Sequence, residues 1–159
     1  MKISKEDPGA IVIHCSDPRF QGAFQAFIAK NLSLNPGEYV PMIIPGSIAF
    51  LGGNISMFMP KNWKALMDHL KDALDQFKGR EVRIVLINHE GCSEYGKIVG
   101  KAKKIMSALP DVIERQIQDL GTVAKVIEKL SGQFGVNCQI ELYMARVEED
   151  GEVVFDKYE

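Results

Sequence analysis

Two short apolar runs, Ala10-Ile-Val-Ile-His14 and Val82-Arg-Ile-Val-Leu-Ile87, constrain this chain most. Near-continuous apolar stretches of that length suit strands buried on both faces, which is the situation of a parallel sheet covered by helices. Each run breaks abruptly into chemistry-bearing residues, Cys15-Ser-Asp17-Pro-Arg19 after the first and His89-Glu-Gly-Cys92 after the second, and each is followed by a helical pattern.

The remaining elements fit the same frame. Phe20, Phe24, Phe27 and Ile28 form the stripe of a first helix, with Asp17 placed as its N-cap, Pro18 at its first position and either Asn31 or Asn35-Pro36-Gly37 ending it. Tyr39–Ile44 reads as a strand that Pro41 assigns to a sheet edge. Trp63, Leu66, Met67, Leu70, Leu74 and Phe77 give a second helix closed by Gly79. Tyr95, Ile98, Val99, Ala102, Ile105 and Met106 give a third, with Ser93 as N-cap and Pro110 as its stop. Asp111 and Glu114 resemble a capping box opening a fourth helix through Ile113, Ile117, Leu120, Ala124 and Ile127, ending at Ser131-Gly132. Cys138–Val147 reads as a strand, and Asp150-Gly151 turns it into an antiparallel partner at Val153-Val154-Phe155. The expected fold is therefore α/β: one domain over 1–159, about four parallel strands plus an antiparallel C-terminal edge strand, with helices on both faces.

Ligands of such sheets bind beyond the carboxyl ends of strands, where strand order reverses. Both special runs end at carboxyl ends, so they are expected to meet. Two cysteines and a histidine, Cys15, His89 and Cys92, would then form a ligand set suited to Zn2+, and three protein ligands with one open position is the form of a catalytic site. A position just ahead of a helix start favours a thiolate at Cys15 and Cys92, and an incoming anion beside them. Asp17 and Arg19 fit two roles. They are a helix cap and a surface arginine, or a carboxylate that orients a water or fills the fourth metal position while the arginine holds it.

Charge and composition exclude other classes. A net charge of -2 gives no reason to expect nucleic acid or an anionic membrane surface as partner. No stretch reads as a signal peptide or reaches the length of a membrane helix, so a cytoplasmic location is expected. Three cysteines in a chain of 159 residues are too sparse for a disulfide scaffold, which favours thiol or metal chemistry. Cys138 and His14 read as core residues and His69 as a surface one. Tyr95 fits either the site or its helix's core face, and Lys101, Lys103 and Lys104 fit a solvated helix face.

Cys15-x-Asp17-x-Arg19 followed by His89-x-x-Cys92 resembles the zinc signature of the β-class carbonic anhydrases in order and spacing, from about Ala10 to the helix after Cys92. The resemblance implies that Cys15, His89 and Cys92 ligate zinc, with Asp17 and Arg19 as the family's catalytic carboxylate–arginine pair and Asp17 as a possible fourth ligand. It also implies a lyase that hydrates carbon dioxide reversibly to bicarbonate through a zinc-bound hydroxide, and a homodimer or higher oligomer. A relative acting on carbonyl sulfide or carbon disulfide, or a zinc-binding protein without hydratase activity, shares the signature. Three departures stand out: Ser93-Glu94 where the family has glycine, Ile44-Pro45-Gly46-Ser47 where it has an Arg-Asn-Ala-Gly-like turn, and a first strand near residue 10 with no helical arm before it. Glu94 would place a negative charge near the metal, and Ile48–Met59 would wall an apolar pocket. A metal-free thiol enzyme, with Cys15 as nucleophile activated by Arg19 and a helix N-terminus, is a further reading.

Overall fold

Five strands and four helices make up the described part of the chain, residues 7–52, 59–103 and 111–159 of a computed structural model. The strands are β1 (Ala10–Cys15), β2 (Tyr39–Ile44), β3 (Glu81–His89), β4 (Asn137–Val147) and β5 (Val153–Tyr158). The helices are α1 (Gln21–Lys30), α2 (Pro60–Asp75), α3 (Ser93–Lys103) and α4 (Val112–Phe134). All strands lie in one sheet of order β2-β1-β3-β4-β5, parallel except for the β4–β5 pair. This is the α/β architecture expected, and Pro41 sits on an edge strand.

Alternation along β1 and β3 divides the core into two layers. Ile11, Ile13, Ile84 and Leu86 face α2 and α4, against Leu66, Leu70, Leu74, Leu120, Val123 and Ile127. Val12, Val85 and Ile87 pack in a second cluster with Phe20, Phe24, Phe27 and Ile28, joined by Tyr95, Ile98 and Val99 of α3. Because the chain runs from β1 to β2 on one side and returns as β3 on the other, the strand order reverses between β1 and β3. The carboxyl ends of these two neighbours, with His14 opposite Ile87, open the crevice where such sheets hold ligands.

Several local expectations are corrected. The helix after β1 begins at Gln21, not Pro18, because the Asp17 carboxylate accepts from the Arg19 backbone and guanidinium instead of capping a helix. The second helix stops at Gln76, and Gly79 belongs to the turn beyond it, with φ +75°. Asp111 does occupy the N-cap of α4, but its side chain makes no capping bond. That helix runs past Ser131-Gly132 to a left-handed Gly135. Its buried face is also rotated: Ile113 is exposed, while Gln116 and Asp119 are buried. Residues 104–110, with Ile105, Met106 and Pro110, lie outside the described residues, as do the side chains of Ala102 and Lys103. Lys101 and His69 are exposed, Cys138 is half-buried against the core, and His14 is buried against Phe24 with its Nδ1–H donated to the Cys15 carbonyl.

Away from the crevice, Glu141 on β4 ties three elements together. Arg83 of β3 pairs with it and also donates to the Leu32 carbonyl at 2.8 Å, and the Tyr143 hydroxyl donates to it at 2.7 Å. Burial works to raise the Glu141 pKa, but Arg83, Tyr143 and Lys157 outweigh it and hold the carboxyl at about 2. A depressed folded-state pKa means stability that is present above the unfolded value of about 4.3 and is lost as pH falls toward 2. Glu141→Gln is therefore expected to cost about 1–2 kcal/mol at neutral pH, with the deficit closing between about pH 4.5 and pH 2. Denaturant unfolding of both proteins across that range measures it; a deficit independent of pH contradicts it.

Candidate metal centre

Cys15 ends β1, His89 ends β3, and Cys92 follows the Glu90-Gly91 turn that leads into α3. Gly91 adopts φ +62°, a conformation costly for residues with a Cβ, and this turn brings Cys92 back over the end of β1. The Cys15 and Cys92 sulfurs lie 3.7 Å apart, and with a ring nitrogen of His89 they form a group whose ligand atoms all lie within 4.8 Å of one another. All three side chains are buried.

Each donor atom is held by its surroundings. His89 bonds the Glu90 carbonyl through Nδ1 at 2.8 Å; a carbonyl can only accept, so Nδ1 carries the proton and Nε2 presents a lone pair. That Nε2 is buried without a hydrogen-bond partner, and the ring is packed against Phe20 at 4.3 Å between centroids. Cys15 Sγ faces the Gly46 N–H at 3.3 Å, and Cys92 Sγ faces the Tyr95 N–H at 3.5 Å. The helix-start argument thus holds for Cys92. For Cys15 the favouring amide comes from the turn after β2, since α1 begins six residues further on. That turn is fixed by Ser47, a left-handed residue at φ +52° whose hydroxyl donates to the Ile87 carbonyl at 2.8 Å.

The two sulfurs are within hydrogen-bonding distance of each other. The Cys92 thiol, with the Gly46 amide, draws the Cys15 pKa well below the thiol range against the opposing effect of burial. The adjacent Cys15 sulfur and burial push Cys92 up.

This group fits a metal ion on the chemistry of its donors. An orphaned buried imidazole nitrogen is costly unless something occupies it, and two sulfurs each about 2.3 Å from a tetrahedral zinc stand about 3.8 Å apart, close to the separation found. Cys15, His89 and Cys92 can therefore hold a metal ion, and two sulfurs with one imidazole are compatible with zinc.

Asp17 lies beside this group. Its Oδ2 is 4.0 Å from His89 Nε2, and it is held in a two-point pair by Arg19, with Nη2 to Oδ2 at 2.6 Å and Nε to Oδ1 at 3.0 Å. Arg19 also donates to the Gly91 carbonyl at 2.9 Å, joining the loops after β1 and β3. The guanidinium holds the Asp17 carboxyl at about 2. Among the described residues the Arg19 side chain bonds Asp17 and the Gly91 carbonyl, and makes no hydrogen bond to Cys15.

A pocket of about 480 Å³ opens over Cys15, Asp17, Arg19, Cys92 and Glu94. The described residues of the segment expected to wall it do not line it, although Ala49, Phe50 and Met59 pack in the cluster that holds Cys15 and Cys92. Ile48, Ala49 and Leu51 are buried in the core, Phe50 lines a separate groove between β2 and α2, and residues 53–58 lie outside the described residues. Tyr95 fills the core face of α3, and its hydroxyl donates to Asp119. Four residues near the site were not singled out from sequence: Ser47, Asn88, Gln116 and Asp119. Gln116 carries a signal, because the buried spacing 127, 123, 120, 116 extends the apolar stripe of α4 back onto a glutamine.

No protein-family model matches this chain, and no curated protein matches it. Among the described residues no helix is long and apolar enough to cross a membrane.

Proposed function

We propose that the chain is a zinc-dependent lyase that hydrates carbon dioxide reversibly to bicarbonate, as its resemblance to the β-class carbonic anhydrases implies. The observation that carries this reading is the convergence of Cys15, His89 and Cys92 at the β1–β3 switch point with the Asp17–Arg19 pair alongside. Zinc held by those three side chains would lower the pKa of a bound water to about 7 and so supply a hydroxide nucleophile at neutral pH. Arg19 keeps Asp17 ionised and bound beside the three ligands, so that the carboxylate leaves the fourth position open. An ionised Asp17 can accept the O–H of a water in the pocket and aim its oxygen at the substrate. Loss of the Arg19 contact would free that carboxylate to occupy the fourth position itself. The supporting subunit contacts, a homodimer or larger, belong to the same reading.

A second reading, a zinc protein that binds without hydrating or acts on carbonyl sulfide or carbon disulfide, is favoured by Glu94. This carboxylate lines the pocket in place of the family's glycine, partly neutralised by Lys97. Metal analysis followed by stopped-flow hydration of carbon dioxide at neutral and alkaline pH separates the readings. One zinc per chain with hydration supports the first, and one zinc without hydration at either pH supports the second. Glu94→Gly is expected to tighten bicarbonate binding about threefold, the modest worth of a half-exposed charge already paired with lysine. An unchanged bicarbonate affinity would sink that role.

A further inference from the structure

The buried stripe of α4 is apolar except at Ser131, near its C-terminal end, and at Gln116 and Asp119, which lie three residues apart and so on one face of the helix. Burying an amide and a carboxylate is costly unless each is bonded, and both are bonded to the metal centre's own scaffold. Gln116 donates its Nε2–H to the His89 carbonyl at 2.8 Å, while Asn88 donates to the Gln116 carbonyl at 3.0 Å, so helix and strand end clasp each other reciprocally. Asp119 accepts from the Tyr95 hydroxyl and is paired with Arg115 at 2.9 Å. Tyr95 in turn presents its backbone N–H to the Cys92 sulfur.

We infer that Gln116 and Asp119 are positioning residues of the metal centre, Gln116 setting the peptide that carries His89 and Asp119, through Tyr95, setting the amide that faces Cys92. The inference rests on reading Cys15, His89 and Cys92 as a metal site. A role in stability alone is a poor account of the arrangement. The Gln116 Oε1 and Asn88 Oδ1 atoms are buried without hydrogen-bond partners, a cost that offsets what their N–H bonds contribute to stability. The gain lies in direction: one helix fixes two of the three ligands, and a shift of α4 moves both together.

Cobalt(II), which reports ligand geometry in its visible spectrum, is the probe, with affinity measured against a chromophoric chelator. Gln116→Met keeps volume and removes the donor. It is expected to bind one cobalt about 10- to 100-fold more weakly with an altered spectrum, the usual cost of losing a partner behind a ligand. Tyr95→Phe, which disconnects Asp119, is expected to change the spectrum and weaken binding by a smaller factor. Leu130→Ala, a buried truncation on the same helix away from this clasp, should lower stability and leave cobalt affinity and spectrum at wild-type values. Wild-type affinity and spectrum in Gln116→Met or in Tyr95→Phe would overturn the corresponding arm, and equal weakening in Leu130→Ala would overturn both. If the wild type takes up no cobalt, the metal reading itself fails. Positioning is then decided by the His89 ring resonances of the metal-free proteins. A shift or broadening in Gln116→Met but not in Leu130→Ala upholds it, and identical spectra overturn it.

Discussion

Cys92→Ser is expected to abolish stoichiometric zinc binding. A serine hydroxyl is not deprotonated at neutral pH, so the site would keep one thiolate and one imidazole, too few to hold the ion in a position that excludes competing water. Affinity should fall by at least about 100-fold, beyond the loss caused by disturbing a group behind a ligand. The same substitution removes the thermal effect of the metal. A ligand present at about 1,000 times its Kd stabilises a fold by about 4 kcal/mol, and in a chain of this size each kcal/mol moves the unfolding midpoint by about 2–4 °C. A strong chelator should therefore lower the wild-type midpoint by roughly 10 °C and leave Cys92→Ser unmoved. Cys138, half-buried at the start of β4, supplies the control, since Cys138→Ser should keep both the zinc and the chelator effect. Metal analysis and thermal unfolding with and without chelator make the measurement. A zinc content that survives in Cys92→Ser, or fails equally in Cys138→Ser, would show that the three ligands are misassigned.

The second large effect is expected at Gly52. A Cβ built there would lie 2.3 Å from the Asp119 Cγ and 2.5 and 2.6 Å from its carboxylate oxygens. Contacts that short force a displacement, and Asp119 cannot swing aside cheaply, because it is buried and bonded to both Tyr95 and Arg115. Gly52→Ala is therefore placed at about 3 kcal/mol of destabilisation, the upper part of the range for overpacking a filled site. Gly121, on the same helix as Asp119 but with open space around its Cα, should respond in the opposite sense. Gly121→Ala is expected to gain about 0.5–1 kcal/mol from helix propensity. Denaturant midpoints of the two variants test the pair. Equal stability of Gly52→Ala and wild type would contradict the close approach of Gly52 to Asp119, as would a large loss that persists unchanged in the Asp119→Ala background.

The elements were legible in the sequence to the extent that their causes were local. β1 and β3 announce themselves because strands buried on both faces need apolar residues at every position, and Tyr39–Ile44 announces its edge place because Pro41 cannot donate to a neighbour. The face of α4 was misread for an equally physical reason. Ile113 and Ile117 gave an apolar phase of their own, but the helix turned Gln116 and Asp119 inward, where the β3 carboxyl end and Tyr95 offered bonds that no isoleucine could make. Asp17-Pro18 read as a helix start because the sequence cannot show that Arg19, two residues on, would capture the cap.

The sequence by itself determined the chemistry: two thiols and an imidazole at strand ends, a carboxylate and an arginine beside the first of them, and the strand–helix alternation that makes the sheet mostly parallel. Tertiary structure decided which of these meet. The order β2-β1-β3 sets Cys15 next to His89 across a separation of 74 positions in the sequence, and the Gly91 turn returns Cys92 to within 3.7 Å of Cys15. It also decided what holds them, a Gly46 amide from beyond β2 and a polar face on α4. Those groups are ordinary backbone and amide functions, whose meaning comes only from what packing sets opposite them.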